Sequence, residues 1–275
     1  MANELNDLHL AFIGCGVMGE SMIAGLLRKG IVKPAQITAS HPRESRRAEL
    51  KERHGIEVFA NNADAVKANS VAVICVKPQR LERIFNDLNG KLHPDQMAIS
   101  IVAGATIEKL AGELGTAKVV RAMPNTPSQI GAGITAWTCT VAVDETERGQ
   151  VREMLSALGK ELFVETENMI DMATSLSATG PTYIFMVMEA LTDAGVHLGF
   201  SRDMAKELVQ ETMLGSVKFA MESHKHPAEL RNMVTSPGGT SAEAIYQMEK
   251  GSLRTVLSKA VYAAYKRAVD LGHKK

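Results

Sequence analysis

Short apolar runs alternate with amphipathic stretches over the first 165 residues of the chain. Leu8 to Ile13, Gln36 to Ala39, Val71 to Val76, Met97 to Val102 and Lys118 to Ala122 read as strands. Gly19 to Lys29, Glu44 to His54 and Ile107 to Leu114 carry helical spacing between them. The run at Val71 to Val76 is continuous rather than alternating, as expected of a strand covered on both faces. Strands alternating with helices predict a parallel sheet with helices on each side. After about Glu165 the strand signal stops, and Ile170 to Leu198, Arg202 to Glu222 and Ser252 to Leu271 read as long helices. Ile184 to Met188 is apolar nearly all round, so its helix needs cover on several sides. A region as short as 166–275 seldom supplies that cover alone. The expectation is an α/β domain over 1–165 and a helical dimerisation domain over 166–275.

Composition narrows the partners. The 275 residues are 45% hydrophobic and 23% charged, the balance of a globular protein with a substantial core. Lys+Arg and Asp+Glu each number 31, and a division at 165 leaves both parts neutral, 19 against 19 and 12 against 12. A surface built for nucleic acid carries a basic excess, so no nucleic-acid partner is expected. Every apolar stretch falls far below the ~20 residues that span a bilayer, so no membrane partner is expected either. Cys15, Cys75 and Cys139 stand far apart, without a CxxC pair or a Cys/His cluster. His224-Lys225-His226 reads as a solvated turn rather than a ligand set, and no metal is expected. Met1 to His9 lacks the basic-then-apolar order of a signal peptide, which points to the cytoplasm.

Gly14-Cys15-Gly16-Val17-Met18-Gly19 is a GxGxxG that follows a strand and opens a helix. Gly14 makes the tight turn, Gly16 lets the backbone approach a pyrophosphate, and Gly19 lets helix and strand pack closely. The anion would sit on the N–H groups at the helix start. This identifies 1–165 as a dinucleotide-binding domain. An acid at the end of the second strand would select NAD. The chain instead reads Thr38-Ala39-Ser40-His41-Pro42-Arg43, a hydroxyl and a guanidinium suited to a 2′-phosphate. NADP(H) is therefore expected as the preferred cofactor, with NAD(H) as the alternative. Arg43, Arg46 and Arg47 as an ordinary solvated helix face is the competing reading.

Lys77 ends a buried strand and either holds the cofactor or merely flanks the loop; Asn62 is a candidate for the adenine-ribose side. Ala103-Gly104 would let backbone approach the nicotinamide half. Asn125, between Pro124 and Pro127, belongs to a rigid polar loop at a strand end and is taken as a cofactor contact. In Ser236-Pro237-Gly238-Gly239-Thr240-Ser241-Ala242-Glu243, Thr240 and Glu243 read as a capping box. The glycines ahead of them expose N–H groups for a carboxylate-sized anion.

Together these motifs resemble pyrroline-5-carboxylate reductase over nearly the whole chain. The resemblance rests on FIGCGVMG from Phe12, CVKP from Cys75, RAMPNTP from Arg121, LSATGPTY from Leu176 and SPGGTSAEAI from Ser236. It implies an N-terminal Rossmann-type doubly wound parallel sheet followed by an all-α C-terminal dimerisation domain, homodimers, and often a decamer of five dimers. It also implies reduction of (S)-1-pyrroline-5-carboxylate to L-proline by NAD(P)H. By the same resemblance the cofactor lies on Ile13, Gly14, Cys15, Gly16, Val17 and Met18, on Ser40, His41 and Arg43, on Asn62, on Cys75, Val76, Lys77 and Pro78, and on Ile101, Val102, Ala103 and Gly104. The substrate lies on Ser236, Gly238, Gly239, Thr240 and Ser241, with Glu167 and Thr174 nearby. Thr179 stands where the family more often has Ser, and Ser241 where many members have Thr.

The residue inventory suits that chemistry. A cyclic imine protonated on nitrogen is already electrophilic at carbon, so placement matters more than a strong acid. Ser241 is the expected catalytic donor to the imine nitrogen. The alternative is another imine or 3-hydroxyacid reductase of the same plan, but no Lys stands near the Gly180-Pro181 helix start to serve the latter. A non-enzymatic dinucleotide-sensing module would have little use for an intact SPGGTS loop.

Overall fold

The structure, a computed structural model, describes residues 8–67 and 69–273. Its strands are β1 (Leu10–Ile13), β2 (Ile37–Ser40), β3 (Glu57–Phe59), β4 (Val71–Ile74), β5 (Met97–Ser100), β6 (Val119–Met123), β7 (Gly133–Cys139) and β8 (Gly159–Phe163). The helices packed with them are α1 (Val17–Arg28), α2 (Glu44–His54), α3 (Asn62–Val66), α4 (Leu81–Leu88), α5 (Ile107–Leu114), α6 (Glu145–Ser156) and α7 (Asn168–Ala173). Then follow α8 (Gly180–His197), α9 (Arg202–Ser223), α10 (Pro227–Met233), α11 (Thr240–Lys250) and α12 (Leu253–His273).

The strands form one sheet in the order β3-β2-β1-β4-β5-β6-β7-β8. Pairing is parallel from β3 through β6, as the strand–helix alternation predicts. The order reverses between β1 and β4, the switch point beside which doubly wound sheets bind ligands at their carboxyl edge. β7 runs antiparallel to β6, because the short link through a 3-10 turn at Thr126–Ile130 leaves no room for a helical crossover. α6 then returns the chain to β8, parallel to β7.

Successive side chains on a strand point to opposite faces, so an unbroken apolar run is buried only if both faces are covered. Leu10 and Phe12 of β1 pack on one face with Met22, Ile23 and Leu26 of α1 and with Met154 and Leu155 of α6. Ala11 and Ile13 pack on the other with Ile84, Phe85 and Leu88 of α4 and Leu110 of α5. Each large side chain buried this way contributes roughly 1.5–3 kcal/mol.

The chain divides into two compact units: residues up to Thr179 with those from Ala264 onward, and Gly180–Ala263. α7 belongs to the first because Ile170 is buried among Met123, Ala136 and Val164. The long helix expected over 170–198 is interrupted. α7 gives way to a π-helical turn at Thr174–Ala178 before α8 begins. Pro181 has no N–H to return to the Ser177 carbonyl, so the preceding turn widens. Thr179 closes it five residues back, its N–H donating to the Thr174 carbonyl at 2.9 Å.

In the second unit α8 and α9 pack closely: a Cβ on Gly195 would lie 2.9 Å from that of Ala205. Ala205 is also the one buried residue between Gly180 and Ala263. Ile184, Phe185 and Met186 stay 50, 57 and 65% exposed on the single chain. The cover that their pattern demands does not come from within this unit.

Candidate active site

The glycine turn between β1 and α1 is shaped by its neighbours. Gly14 has φ +74°, and a Cβ there would lie 2.1 Å from Val76 Cγ1. A Cβ on Gly19 would meet Cys75 Sγ at 2.6 Å and Cys15 Sγ at 3.3 Å. Gly16 is different: among the described residues only the Gly14 carbonyl oxygen, at 3.8 Å, approaches its vacant side. Gly16 is also the N-cap of α1, with no side chain capping the helix. The N–H groups at the start of α1 thus face an open space at the positive end of the helix dipole. That fits a pyrophosphate.

Beneath the turn, Ile13, Cys15 and Cys75 are buried. Burial pushes the Cys15 thiol up to about 12 and raises Cys75 well above the ordinary thiol value. The Cys75 thiol donates to the Ile13 carbonyl at 3.2 Å. Both sulfurs form the floor of the turn and neither is a nucleophile. Any contact of these three residues with a cofactor would have to come from main chain.

At the end of β2 the expected donor is already engaged. Ser40 is buried; its hydroxyl donates to Asn62 Oδ1 at 2.6 Å and accepts the Gly14 N–H at 3.3 Å. Asn62 in turn donates to Asp87 Oδ2 at 2.8 Å. Ser40 and Asn62 therefore brace the glycine turn, and the Ser40 hydroxyl has no proton left for a phosphate. The three nearby arginines also separate. Arg46 pairs with Glu20 at 2.5 Å and Glu49 at 2.9 Å. Burial alone would raise the Glu20 carboxyl, but Arg46, His54 and Arg53 outweigh it and hold the group below its usual range. Arg47 donates to the carbonyls of His41 and Pro42 at 2.9 Å. Arg43 is exposed and, among the described residues, no acid pairs with its guanidinium. Beside it His41 is held below its ordinary value, by burial first and by the Arg43 charge second. Arg43 is the one of the three left for a 2′-phosphate.

Lys77 is exposed ahead of a short 3-10 turn that begins at Pro78. After β5 the turn at 101–104 has Val102 buried and Ala103 partly so. Gly104, with φ +74°, is crowded from within the chain: a Cβ would lie 2.7 Å from Leu271 Cβ and 2.9 Å from Gly272 N. The end of α12, rather than a cofactor, accounts for a glycine here. Asn125 is likewise used internally, accepting the Ile134 N–H at 3.0 Å and donating to Ser177 Oγ at 3.4 Å. Thr174 donates its hydroxyl to the Ile170 carbonyl at 2.7 Å.

The second glycine loop lies in the helical unit. The Gly239 N–H donates to the Ser236 carbonyl at 3.0 Å, with Gly238 at φ +70°. Pro at the second place and a left-handed Gly at the third define a type II turn. The Gly239 N–H is thus committed, and a side chain there would strike Ser236 Oγ at 2.5 Å. The capping box at Thr240 does not form. Gly239 is the N-cap, Thr240 is already helical, and Glu243 accepts from Gln247 at 3.0 Å instead of reaching back. With no side chain on the cap, the N–H groups of Thr240 and Ser241 remain as donors beside their own hydroxyls.

One pairing, of Arg121 with Glu167 and Asp171, is not among the roles the motifs predict. Arg121, in β6, is 1% exposed and reaches Glu167 at 2.9 Å and Asp171 at 2.6 Å. Glu167, expected near the substrate, is thereby engaged by a protein cation. A charge inside the apolar run Val119-Val120-Arg121-Ala122-Met123 was the available signal, since such a charge must find a partner. A hollow of about 250 Å³ lined by Leu8, Val71, Asp95, Gln96, Met97 and Glu147 lies at the opposite, amino-terminal edge of the sheet and takes no part in this site.

Comparison with known proteins covers the same ground. Residues 167–271 match the family described as pyrroline-5-carboxylate reductase dimerisation, and residues 9–104 match NADP oxidoreductase coenzyme F420-dependent. A pyrroline-5-carboxylate reductase of Pseudomonas aeruginosa is 39% identical over 264 residues, 96% of each chain. The solved pyrroline-5-carboxylate reductase of Coxiella burnetii superposes with a TM-score of 0.88 at 34% identity, covering 98% of this chain and 100% of that one. A Plasmodium falciparum pyrroline carboxylate reductase, solved with NADP bound, gives 0.89 at 29% identity, covering 97% of this chain and 99% of that one.

Proposed function

The chain belongs to the pyrroline-5-carboxylate reductase family, and from that premise we infer that it reduces (S)-1-pyrroline-5-carboxylate to L-proline with NAD(P)H, the final step of proline biosynthesis. The observation that carries this reading is similarity to such reductases along almost the entire length, sheet and helices alike. The C-terminal helices make the protein a homo-oligomer. In finer terms, residues 1–165 hold the cofactor and 166–275 hold substrate and partner. The assembly is a dimer built into a decamer, acting in the cytoplasm without nucleic-acid or membrane partners.

The tip of α1, from Gly16 to Gly19, binds the pyrophosphate through main-chain N–H groups. Arg43 meets the 2′-phosphate and favours NADP(H) over NAD(H), with Lys77 adding positive charge nearby. His41, Val76 and Pro78 border the adenine-ribose side, and turn 101–104 borders the nicotinamide. When bound, NADPH supplies the hydride that the imine carbon accepts. At the other glycine loop, Thr240 and Ser241 N–H groups and the Ser236 hydroxyl bind the substrate carboxylate. The Ser241 hydroxyl faces the imine nitrogen and keeps its proton in place, which leaves the ring carbon electron-poor. No thiol or imidazole is needed, consistent with the sealed, protonated state of Cys15 and Cys75. Absorbance loss at the NADPH band, dependent on added pyrroline-5-carboxylate and matched by proline formed, tests cofactor, substrate and reaction together. No proline under those conditions would refute the reading.

A further inference from the structure

Arg121 occupies the centre of a strand buried at every position, where a full charge is costly unless it is paired. Its Nη1 donates to Glu167 Oε1 at 2.9 Å and its Nη2 to Asp171 Oδ1 at 2.6 Å. The same Glu167 oxygen accepts the Ile107 N–H at 2.7 Å. Ile107 opens α5 just after turn 101–104, and Glu167 immediately precedes α7 and its π-helical turn. One buried cation therefore ties β6, the start of α5 and the start of α7 together.

We propose that Arg121 and Glu167 are positioning residues for the nicotinamide side of the cofactor, fixing turn 101–104 through the Ile107 N–H, and that Glu167 is not a substrate ligand. The proposal rests on the reading of that turn given above. Glu167 Oε1 already takes two donors, one of them a guanidinium. Among the described residues Arg121 Nε is buried without a partner, so there the two carboxylates orient the guanidinium. Three residues ahead of Ile107, Gly104 is packed against Leu271 and Gly272. The stretch 104–107 that leads out of the turn is thus held at both ends by long-range contacts, which set its place rather than local propensity.

The test uses the full-length enzyme with Glu167→Ala, Glu167→Gln and Arg121→Lys. KM is measured for each substrate separately, and hydrogen exchange is followed for residues 101–107. Glu167→Ala should raise the KM for NADPH about tenfold or more, the scale of one hydrogen bond to a charged group. The KM for pyrroline-5-carboxylate should move far less, and the 101–107 amides should exchange faster. Glu167→Gln keeps an oxygen for the Ile107 N–H and should recover most of the loss. Arg121→Lys, a single ammonium unable to fork to two carboxylates, should fall between, and supplies the same comparison if Glu167→Ala does not fold. Equal rises in the substrate KM for both Glu167 variants, with unchanged exchange, would show a substrate contact and overturn the proposal. Faster exchange with an unchanged NADPH KM would instead remove turn 101–104 from the cofactor site, and the proposal with it.

Discussion

The sheet unit and the helical unit treat their apolar residues in opposite ways. In the first, two layers of helices bury β1, β4, β5 and β6 completely, and the glycine turn stands on that closed core. In the second, α8 through α11 leave Ile184, Phe185, Met204, Leu208 and Tyr246 about half exposed or more. Isolated exposed apolar residues are ordinary; a continuous set on consecutive helices marks a surface made for another chain. The lesson is that the glycine turn rests on a core closed within one chain, whereas the helices that carry Ser241 belong to the dimerisation region and leave apolar residues for another copy.

Four changes would sharpen or break that contrast. Ser241→Ala should lower kcat/KM by about 10²-fold, the usual scale of a positioned proton donor, while NADPH affinity measured by fluorescence stays put. Loss of NADPH affinity would mean the two regions are not separable in this way. Phe185→Asp, which places a charge on the α8 apolar face, should weaken association by about 2 kcal/mol or more, roughly 30-fold, in sedimentation equilibrium. An unchanged oligomer would show that the exposed face is idle. Arg43→Glu should raise the KM for NADPH about tenfold more than that for NADH, without changing oligomer size. Equal effects on both cofactors would return Arg43 to the solvated surface.

The smallest effect concerns His41. Its folded value lies below the ordinary one, so the native chain holds fewer protons than the unfolded chain in acid. The corresponding stability is complete above the unfolded value of about 6.5 and is lost as the pH falls through the folded value. His41→Asn should therefore flatten the decline of Tm on the acid side of that window, slightly. A steeper decline would assign the slope to other groups.

Much of this was legible in the residues, and the omissions have physical causes. α2 and α5 occupy the expected spans because charged or helical spacing is a local signal. β3 is only three residues long, and β8 is an edge strand with Lys160, Leu162 and Phe163 open, so neither carries a buried-strand pattern. α4 did offer a signal, with Leu81, Ile84, Phe85 and Leu88 at i, i+3, i+4 and i+7. At the site, the needs of Gly14 and Gly19 follow from strand and helix meeting at a turn, which the spacing announces. The commitments of Ser40 to Asn62 and of Arg121 to Glu167 join residues 22 and 46 positions apart, and no local pattern encodes them. The Thr240 capping box failed through a phase error of one residue, since a glycine at 239 can take the cap without any side chain.

The two sulfurs under the glycine turn also have a practical reach. Alkylating reagents attack thiolates, and Cys15 and Cys75 are both buried and kept protonated. Labelling of either can proceed only when the sheet unit opens, with the half-buried Cys139 as an internal reference in the same chain. The rate at which those two positions take up label is thus a built-in clock for unfolding of the sheet unit, readable in crude samples by mass and without any engineered probe.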